Sequence, residues 1–274
     1  TRQGLSSLDG IARQIASREP QQLQALNPAT APEEIRTMLE AINGLFQRVA
    51  TTLDAERRFT ADAAHELRTP LAALQAQLQV ALRARDDDER DRSLTQLQHG
   101  LTRASHLVDQ MLQLARLDPE SSLPDTQQVD LAILAEEICA ELGTAILDKN
   151  LDFDLQATPG CTITGQPDWL CVLMRNLVDN AIRYTPPGGK IVVSLSEEQN
   201  GYRVTVSDNG LGIPAEERDA VLRRFHRLNH QEQPGSGLGL SIVTRIAELH
   251  GAHLELGDGE AARGLSISVI FRKA

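Results

Sequence analysis

The first residues able to do chemistry are a histidine followed directly by a glutamate, in Phe59-Thr60-Ala61-Asp62-Ala63-Ala64-His65-Glu66-Leu67-Arg68-Thr69-Pro70-Leu71. On a wheel turning roughly 100° per residue, Leu71, Leu74 and Leu78 fall within about 40° of Leu67, while His65 lies about 160° away. His65 therefore faces water, with Thr69 one turn along the same outer face. If Glu66 accepts one ring N–H, the other nitrogen stays basic, and the pair can attack an electrophile. Pro70 removes one helical hydrogen bond and permits a bend just after the histidine. Taken alone, an exposed histidine is also an ordinary solvated side chain. H-E-x-x-T lacks the second imidazole of the zinc pattern H-E-x-x-H, which excludes metalloprotease chemistry.

Three further groups follow. In Arg175-Asn176-Leu177-Val178-Asp179-Asn180-Ala181-Ile182-Arg183-Tyr184, helical spacing puts Asn176 and Asn180 on one face that Arg183 extends. Amide oxygens suit Mg²⁺ and a guanidinium suits phosphate, although polar surface contacts would use the same residues. Asp208-Asn209-Gly210-Leu211-Gly212-Ile213-Pro214 ends an expected strand. A carboxylate there can accept from an exocyclic amine such as adenine N6, with backbone approaching closely at Gly210 and Gly212; a plain Asn-Gly turn fits equally well. Gly235-Ser236-Gly237-Leu238-Gly239-Leu240 runs from a loop into a helix, a place where backbone N–H groups can hold phosphate. It is not the dinucleotide fingerprint, and no P-loop motif occurs.

The elements that must position these groups change character along the chain. The 274 residues are enough for about two domains. With 27 Lys plus Arg against 38 Asp plus Glu, the net charge of −11 argues against a nucleic-acid partner. Only 3% of residues are aromatic, so the helices must pack with Leu and Ala. Cys139, Cys161 and Cys171 form no C-x-x-C pair, and neither a zinc site nor a disulfide framework is expected. No apolar run approaches the ~20 residues of a membrane span, and no signal peptide is recognisable.

Residues 1–53 read as two short helices around a Pro-rich connector, the second with a coiled-coil seam from Ile35 to Leu53. That pattern continues through Leu67, Leu71, Leu74 and Leu78 to about Arg83, and 85–90 reads as a solvated turn. A second long helix carries Leu97, Leu101, Ala104, Val108, Met111 and Ala115. One such hairpin leaves its seam half uncovered, so a dimeric four-helix bundle is expected. A Pro/Ser/acid stretch at 118–125 marks a domain boundary. Beyond it, helices at about 130–149, 167–184 and 238–250 and strands at about 151–156, 161–164, 190–196, 202–207, 252–257 and 265–271 predict an α/β sandwich.

H-E-x-x-T on a bundle helix, then N-x-x-x-N, D-x-G-x-G and G-x-G-x-G, in that order, resembles the sensor histidine kinases over about residues 33–274. His65 matches the H-box, Asn176–Tyr184 the N-box, Asp208–Ile213 the G1 box and Gly235–Gly239 the G2 box. Residues 1–53 look like a HAMP signal-relay segment, and the run Glu56–Glu66 is similar to QseC- or PmrB-type kinases. The fold implied is a HAMP-like coiled coil (1–53), a dimerisation and phosphotransfer hairpin (54–117), a linker (118–127) and a catalytic domain of the gyrase/Hsp90/histidine-kinase/MutL type (128–274).

The resemblance implies His65 as phosphoacceptor, Glu66 as its activating base, and Thr69 as the residue positioning water for dephosphorylation of a partner. It implies ATP held by Asn176, Asn180, Arg183, Tyr184, Asp208, Gly210, Gly212, Ile213, Phe225, Arg227, Gly235, Ser236, Gly237, Leu238 and Gly239. Asn180 would hold Mg²⁺, Asp208 would read adenine, and Gly235, Gly237 and Gly239 would form the hinge of a lid. Phe225 and Arg227 match the family's acid-Arg-Phe-Tyr-Arg box, whereas Arg223 and His226 depart from it. The implied reaction is autophosphorylation of His65 from Mg-ATP, with the nucleotide domain swinging on 118–127. The phosphoryl group then passes to an aspartate in the receiver domain of a response regulator, and phosphatase activity toward that regulator is also expected. A homodimer is implied, as the cytoplasmic portion of a bacterial inner-membrane protein with a transmembrane helix before Thr1. Two other readings are a dimeric scaffold without catalysis and an ATPase of the gyrase/Hsp90/MutL group. The hairpin with its exposed histidine argues against the second, and intact His65, Asn180 and Asp208 against the first.

Overall fold

The structure, a computed structural model, describes residues 33–117, 123, 125–228, 236–259 and 263–273. The chain divides into two units, Thr1–His65 and Glu66–Ala274, and each is described by itself. The first short helix expected before Pro20, the connector at 27–32 and residues 118–122 lie outside the described residues.

Helix α1 spans Glu33–Arg83 and runs through Pro70 without interruption. In the first unit it leaves Met38, Leu45 and Val49 exposed, spaced seven and four residues apart. In the second unit it turns back into α2, Asp87–Arg116. The expected turn at 85–90 is shorter than the charge run suggests. Asp86 caps α2 by accepting from the Glu89 N–H (2.7 Å), and the Glu89 carboxylate accepts from the Arg85 N–H (3.0 Å). Asp87, Asp88 and Glu89 therefore form the acidic first turn of a helix, where negative charge meets the positive end of the dipole.

The expected seams are half covered. Leu67, Leu74, Leu97 and Ala104 are half-buried and Met111 is buried, and Leu74 reaches against Gly100 across the hairpin. The intervening positions Leu71, Leu78, Leu101 and Val108 are exposed, joined by Leu82, Leu94 and Leu112. Each helix thus carries two adjacent apolar stripes, one covered within the chain and one open.

From β1 onward the chain is α/β. The elements are β1 (Gln127–Asp130), α3 (Leu131–Glu141), α4 (Gly143–Asp148), β2 (Asp152–Ala157), β3 (Thr162–Gly165), α5 (Pro167–Tyr184), β4 (Lys190–Glu198) and β5 (Gly201–Asp208). A 3₁₀ turn (Ala215–Glu217) and α6 (Arg218–Val221) precede α7 (Gly239–Leu249), β6 (His253–Asp258) and β7 (Leu265–Arg272). Two expectations are corrected. Residues 130–149 are two helices, because the chain breaks at Leu142 before Gly143. Gln127–Asp130, partly assigned to the linker, is a strand paired antiparallel with β3. Its last residue, Asp130, then caps α3 through the Ala132 N–H (2.8 Å).

The main sheet has the order β2-β4-β5-β7-β6. The β2–β4 pair is parallel and the others antiparallel. Period-two alternation turns Ile191, Val193 and Leu195 of β4, Val204 and Val206 of β5, and Ile267, Val269 and Phe271 of β7 to one buried face. Helices α3, α5 and α7 supply the second layer, with Leu170, Leu173, Leu177, Val178, Ile242, Val243 and Ile246 among its buried residues.

His250, just past α7, pins the N-terminus of α5 to this core. Its Nε2 accepts from the Gln166 N–H (3.1 Å), and its Nδ1 donates to the Ile246 carbonyl (2.8 Å), which selects the neutral Nδ1–H tautomer. Burial holds its pKa below the ordinary 6.5, against the opposing pull of the Ile246 carbonyl. Folding therefore favours the neutral ring. The stabilisation is present above a pH of about 6.5 and is lost as pH falls through the lower folded-state value. Thermal melts of wild type and His250→Gln should diverge progressively below that pH, the wild type losing more; parallel curves would count against this role.

Candidate functional site

Helix α5 explains most of the site. Pro167 at its first turn, the Gln166 side chain accepting from Trp169 N–H (2.6 Å), and Asp168 in the first turn fix its start. Leu170, Leu173, Met174, Leu177, Val178, Ala181 and Ile182 cover the sheet. The other face is left to Asn176, Asp179, Asn180, Arg183 and Tyr184. At its far end the Lys149 ammonium donates to the carbonyls of Ile182 (2.7 Å) and Arg183 (2.8 Å). Burial and then the nearby Arg183 charge lower the pKa of this lysine. A cation on the last carbonyls satisfies helix-end acceptors and complements the dipole.

These polar residues line an open cleft of about 770 Å³, its solvent-filled mouth included. Of the residues expected to hold ATP, the structure brings Asn176, Asn180, Arg183, Tyr184, Asp208, Gly212, Ile213, Arg227, Ser236, Gly237 and Gly239 to its wall. Gly210, Phe225 and Leu238 do not line it, and Gly235 lies outside the described residues. His65, Glu66 and Thr69 lie on α1 and not on the cleft wall; His65 and Thr69 are exposed and Glu66 is half-buried.

Asp208 continues the inward phase of Val204 and Val206, so its carboxylate enters the buried layer at the strand's end and is only 6% exposed. Its Oδ1 accepts from Gly210 N–H (2.8 Å) and Leu265 N–H (3.2 Å). Burial pushes its pKa above the usual carboxylate value, and the two N–H groups pull it back in part. Gly212 has φ +69°, and a side chain there would meet the Gly264 carbonyl oxygen at 2.7 Å. Gly237, at φ +68°, sits against the Phe225 and His226 backbone and accepts from the Phe225 N–H (3.0 Å). Helix α7 starts at Gly239 without a side-chain cap, its first-turn N–H groups beside the cleft.

Arg183 pairs with Asp179 (2.9 Å), and His226 Nε2 lies 3.3 Å from Glu217 Oε2. The departures from the family's box are thus a histidine that lines the cleft and an exposed Arg223. Sequence reasoning missed Gln110, Asp179, Val221, Leu228, Leu240 and Leu265 on the wall, and Lys149 and His250 at the two ends of α5. Asp179 alone carried a local signal, four residues before Arg183. Among the described residues no cluster of three or more His, Cys, Asp or Glu could hold a metal by itself. Burial pushes the Cys139 thiol up to about 11, which leaves it inert.

Residues 55–120 match the His Kinase A (phospho-acceptor) domain, and residues 165–274 match the histidine kinase-, DNA gyrase B-, and HSP90-like ATPase family. The chain is 40% identical over 271 residues to the sensor protein kinase PmrB of Pseudomonas aeruginosa, covering 98% of this chain and 57% of that protein. It is 41% identical over 258 residues to the sensor protein QseC of Escherichia coli K12, covering 93% of this chain and 57% of that protein. It therefore spans a little over half the length of these curated relatives. A histidine kinase ThkA solved in complex with the response regulator protein TrrA aligns with a TM-score of 0.67. The alignment covers 82% of this chain and 64% of that one at 22% identity, and shows a shared fold. The chain belongs to the sensor histidine kinases of the QseC/PmrB type. The match of residues 165–274 to that ATPase family supports ATP use by this part of the chain.

Asp208→Asn should weaken adenine-nucleotide binding roughly 10- to 100-fold, as loss of a charged hydrogen bond does. In wild type, affinity should hold while the carboxylate is ionised and fall as pH drops through its raised pKa, at a higher pH than an ordinary carboxylate would give. Isothermal titration across pH checks both.

Proposed function

We propose that this chain transfers the γ-phosphoryl group of ATP to His65 and then to an aspartate on the receiver domain of a response regulator. The observation that carries the reading is the Asp208 carboxylate. It is buried, it is held by two backbone N–H groups, and it stands on a cleft that Asn180, Arg183 and the start of α7 also line. Its second oxygen suits an exocyclic adenine amine, which leaves the triphosphate toward the amides and the helix start.

The donor set fits Mg²⁺ as a shared ion. Asn180, with Asn176 beside it, offers hard amide oxygens, and the absence of a carboxylate cluster among the described residues means that phosphates and water would complete the shell. When bound, the ion neutralises phosphate charge. The chain's own residues orient the nucleotide and supply the nucleophile. An imidazole nitrogen of His65 attacks the γ-phosphorus, a P–N bond forms, the bond to ADP breaks, and Glu66 takes the ring proton. The P–N bond later breaks as the phosphoryl group moves to the regulator's carboxylate. Pro70 has no N–H for the Glu66 carbonyl, which loosens the helix at this turn. Thr69, one turn beyond His65, positions water when the phosphorylated regulator is hydrolysed.

The domain reading follows: 1–53 as a HAMP-like relay, 54–117 as the phosphotransfer hairpin, a linker from 118 up to β1, and the catalytic domain from Gln127 of β1 onward. The open stripe of Leu71, Leu78, Leu101, Val108 and Leu112 supports a homodimer, since a second hairpin would bury it in a four-helix bundle. Met38, Leu45 and Val49 support a parallel coil in the relay. Use of ATP and a receiver-domain partner support a cytoplasmic portion of a bacterial inner-membrane protein; among the described residues no helix is long and apolar enough to cross a membrane.

Incubation with Mg²⁺ and γ-labelled ATP should give a phosphoprotein that survives alkali and is lost in acid, with His65→Gln unlabelled. Label retained in that variant would remove the phosphoacceptor assignment, and sustained ATP hydrolysis without any phosphoenzyme would favour a gyrase-like ATPase. Thr69→Ala should dephosphorylate the regulator at least tenfold more slowly while labelling normally; an unchanged rate would end its role.

A further inference from the structure

We propose that Gln110, on the phosphotransfer hairpin, is a positioning residue of the nucleotide cleft: it ties Asn176 and Ser236 into a docked arrangement that nucleotide must displace. Docking of the hairpin and loading of the cleft then oppose each other. The inference rests on the nucleotide reading of the cleft.

Gln110 lies on α2 yet lines the cleft, and it is only 6% exposed. Its Oε1 accepts from the Ser236 hydroxyl (2.6 Å), and its Nε2 donates to Asn176 Oδ1 (3.4 Å). Asn176 Nδ2 donates in turn to the Val172 carbonyl (2.7 Å), which fixes the amide and turns its oxygen toward Gln110. The Ser236 oxygen accepts from the Leu238 N–H (3.2 Å), linking the contact to the start of α7. A second tie lies seven residues on, where Arg245 Nε of α7 donates to the Leu117 carbonyl (3.2 Å).

Gln110 sits among the buried apolar residues Leu107, Met111 and Leu114. A primary amide sealed there without partners would be costly, and its partners are all on the nucleotide module. The two groups it engages are an amide oxygen and a hydroxyl on the cleft wall, both suited to a nucleotide's phosphates and their ion. A ligand shifts an equilibrium only by its differential affinity for the two states. Ligand that needs these groups free binds the undocked state better and is penalised while Gln110 holds them.

In the full chain, Gln110→Ser shortens the side chain beyond reach of both partners without adding apolar surface to the seat. Binding of Mg²⁺ with a non-hydrolysable ATP analogue should tighten about fivefold, the worth of one net buried hydrogen bond. The ATP KM for autophosphorylation should fall in step, whereas a merely structural lesion would weaken binding. Gln110→Ala should act in the same direction. Without nucleotide, amide exchange at 239–243 and at the end of α2 should speed up in both variants, a readout independent of ligand. If Asp208→Asn weakens binding as expected but both Gln110 variants bind like wild type or more weakly, the Gln110 proposal is overturned and the cleft reading stands. If wild type and Asp208→Asn both fail to bind the analogue, the cleft reading fails and takes the proposal with it.

Discussion

One helix with two incompatible faces organises this molecule. The apolar side of α5 is sealed against the sheet, which forces Asn176, Asp179, Asn180 and Arg183 to the other side, all at one rim. The helix cannot rotate without burying an ion pair or exposing Leu177 and Val178, both fully buried. It cannot slide, because each end is tied: Gln166 and His250 hold the first turn, and Lys149 holds the last carbonyls. The cleft is precise because the helix beneath it has neither freedom.

Asp208 illustrates how the sheet completes that geometry. The phase set by Val204 and Val206 would ordinarily place another aliphatic residue at this position. A carboxylate there is tolerable because the chain crosses behind it twice, giving the N–H groups of Gly210 and Leu265. Both bonds go to one oxygen, which leaves the other for a ligand. A buried acid whose solvation is only half replaced by protein is poised for a donor from outside.

What could be read from the sequence divides along the same physical line. The bounds of α5, the inward phase of β5 and the outward face of His65 all follow from periodicity and capping within a few residues, and they were legible. So was the half-covered seam of the hairpin, because its two stripes alternate along each helix. The strand Gln127–Asp130 was not, since four residues of mixed polarity have no period of their own and exist by pairing with β3. The break at Leu142–Gly143 was hidden inside an apolar run that reads equally well as one helix. Lys149 and His250 were invisible for a further reason. Each is a single polar residue whose partners lie 33 and 84 residues away, at helix ends where local pattern says nothing.

Gln110 belongs to that last group, and its chemistry says what kind of contact it makes. A permanent core at this point would be best filled by an aliphatic side chain, as Leu107, Met111 and Leu114 fill the neighbouring positions. The contact instead closes on an amide, a hydroxyl and, at Leu117, a backbone carbonyl met by a guanidinium. Each of these groups is content in water when the surfaces part, so separation leaves little that is unsatisfied. An apolar seat gives the docked arrangement its grip, and polar ties keep that grip low enough to be released. An interface that must form and release repeatedly needs contacts of that kind, because a fully apolar one would hold a single arrangement.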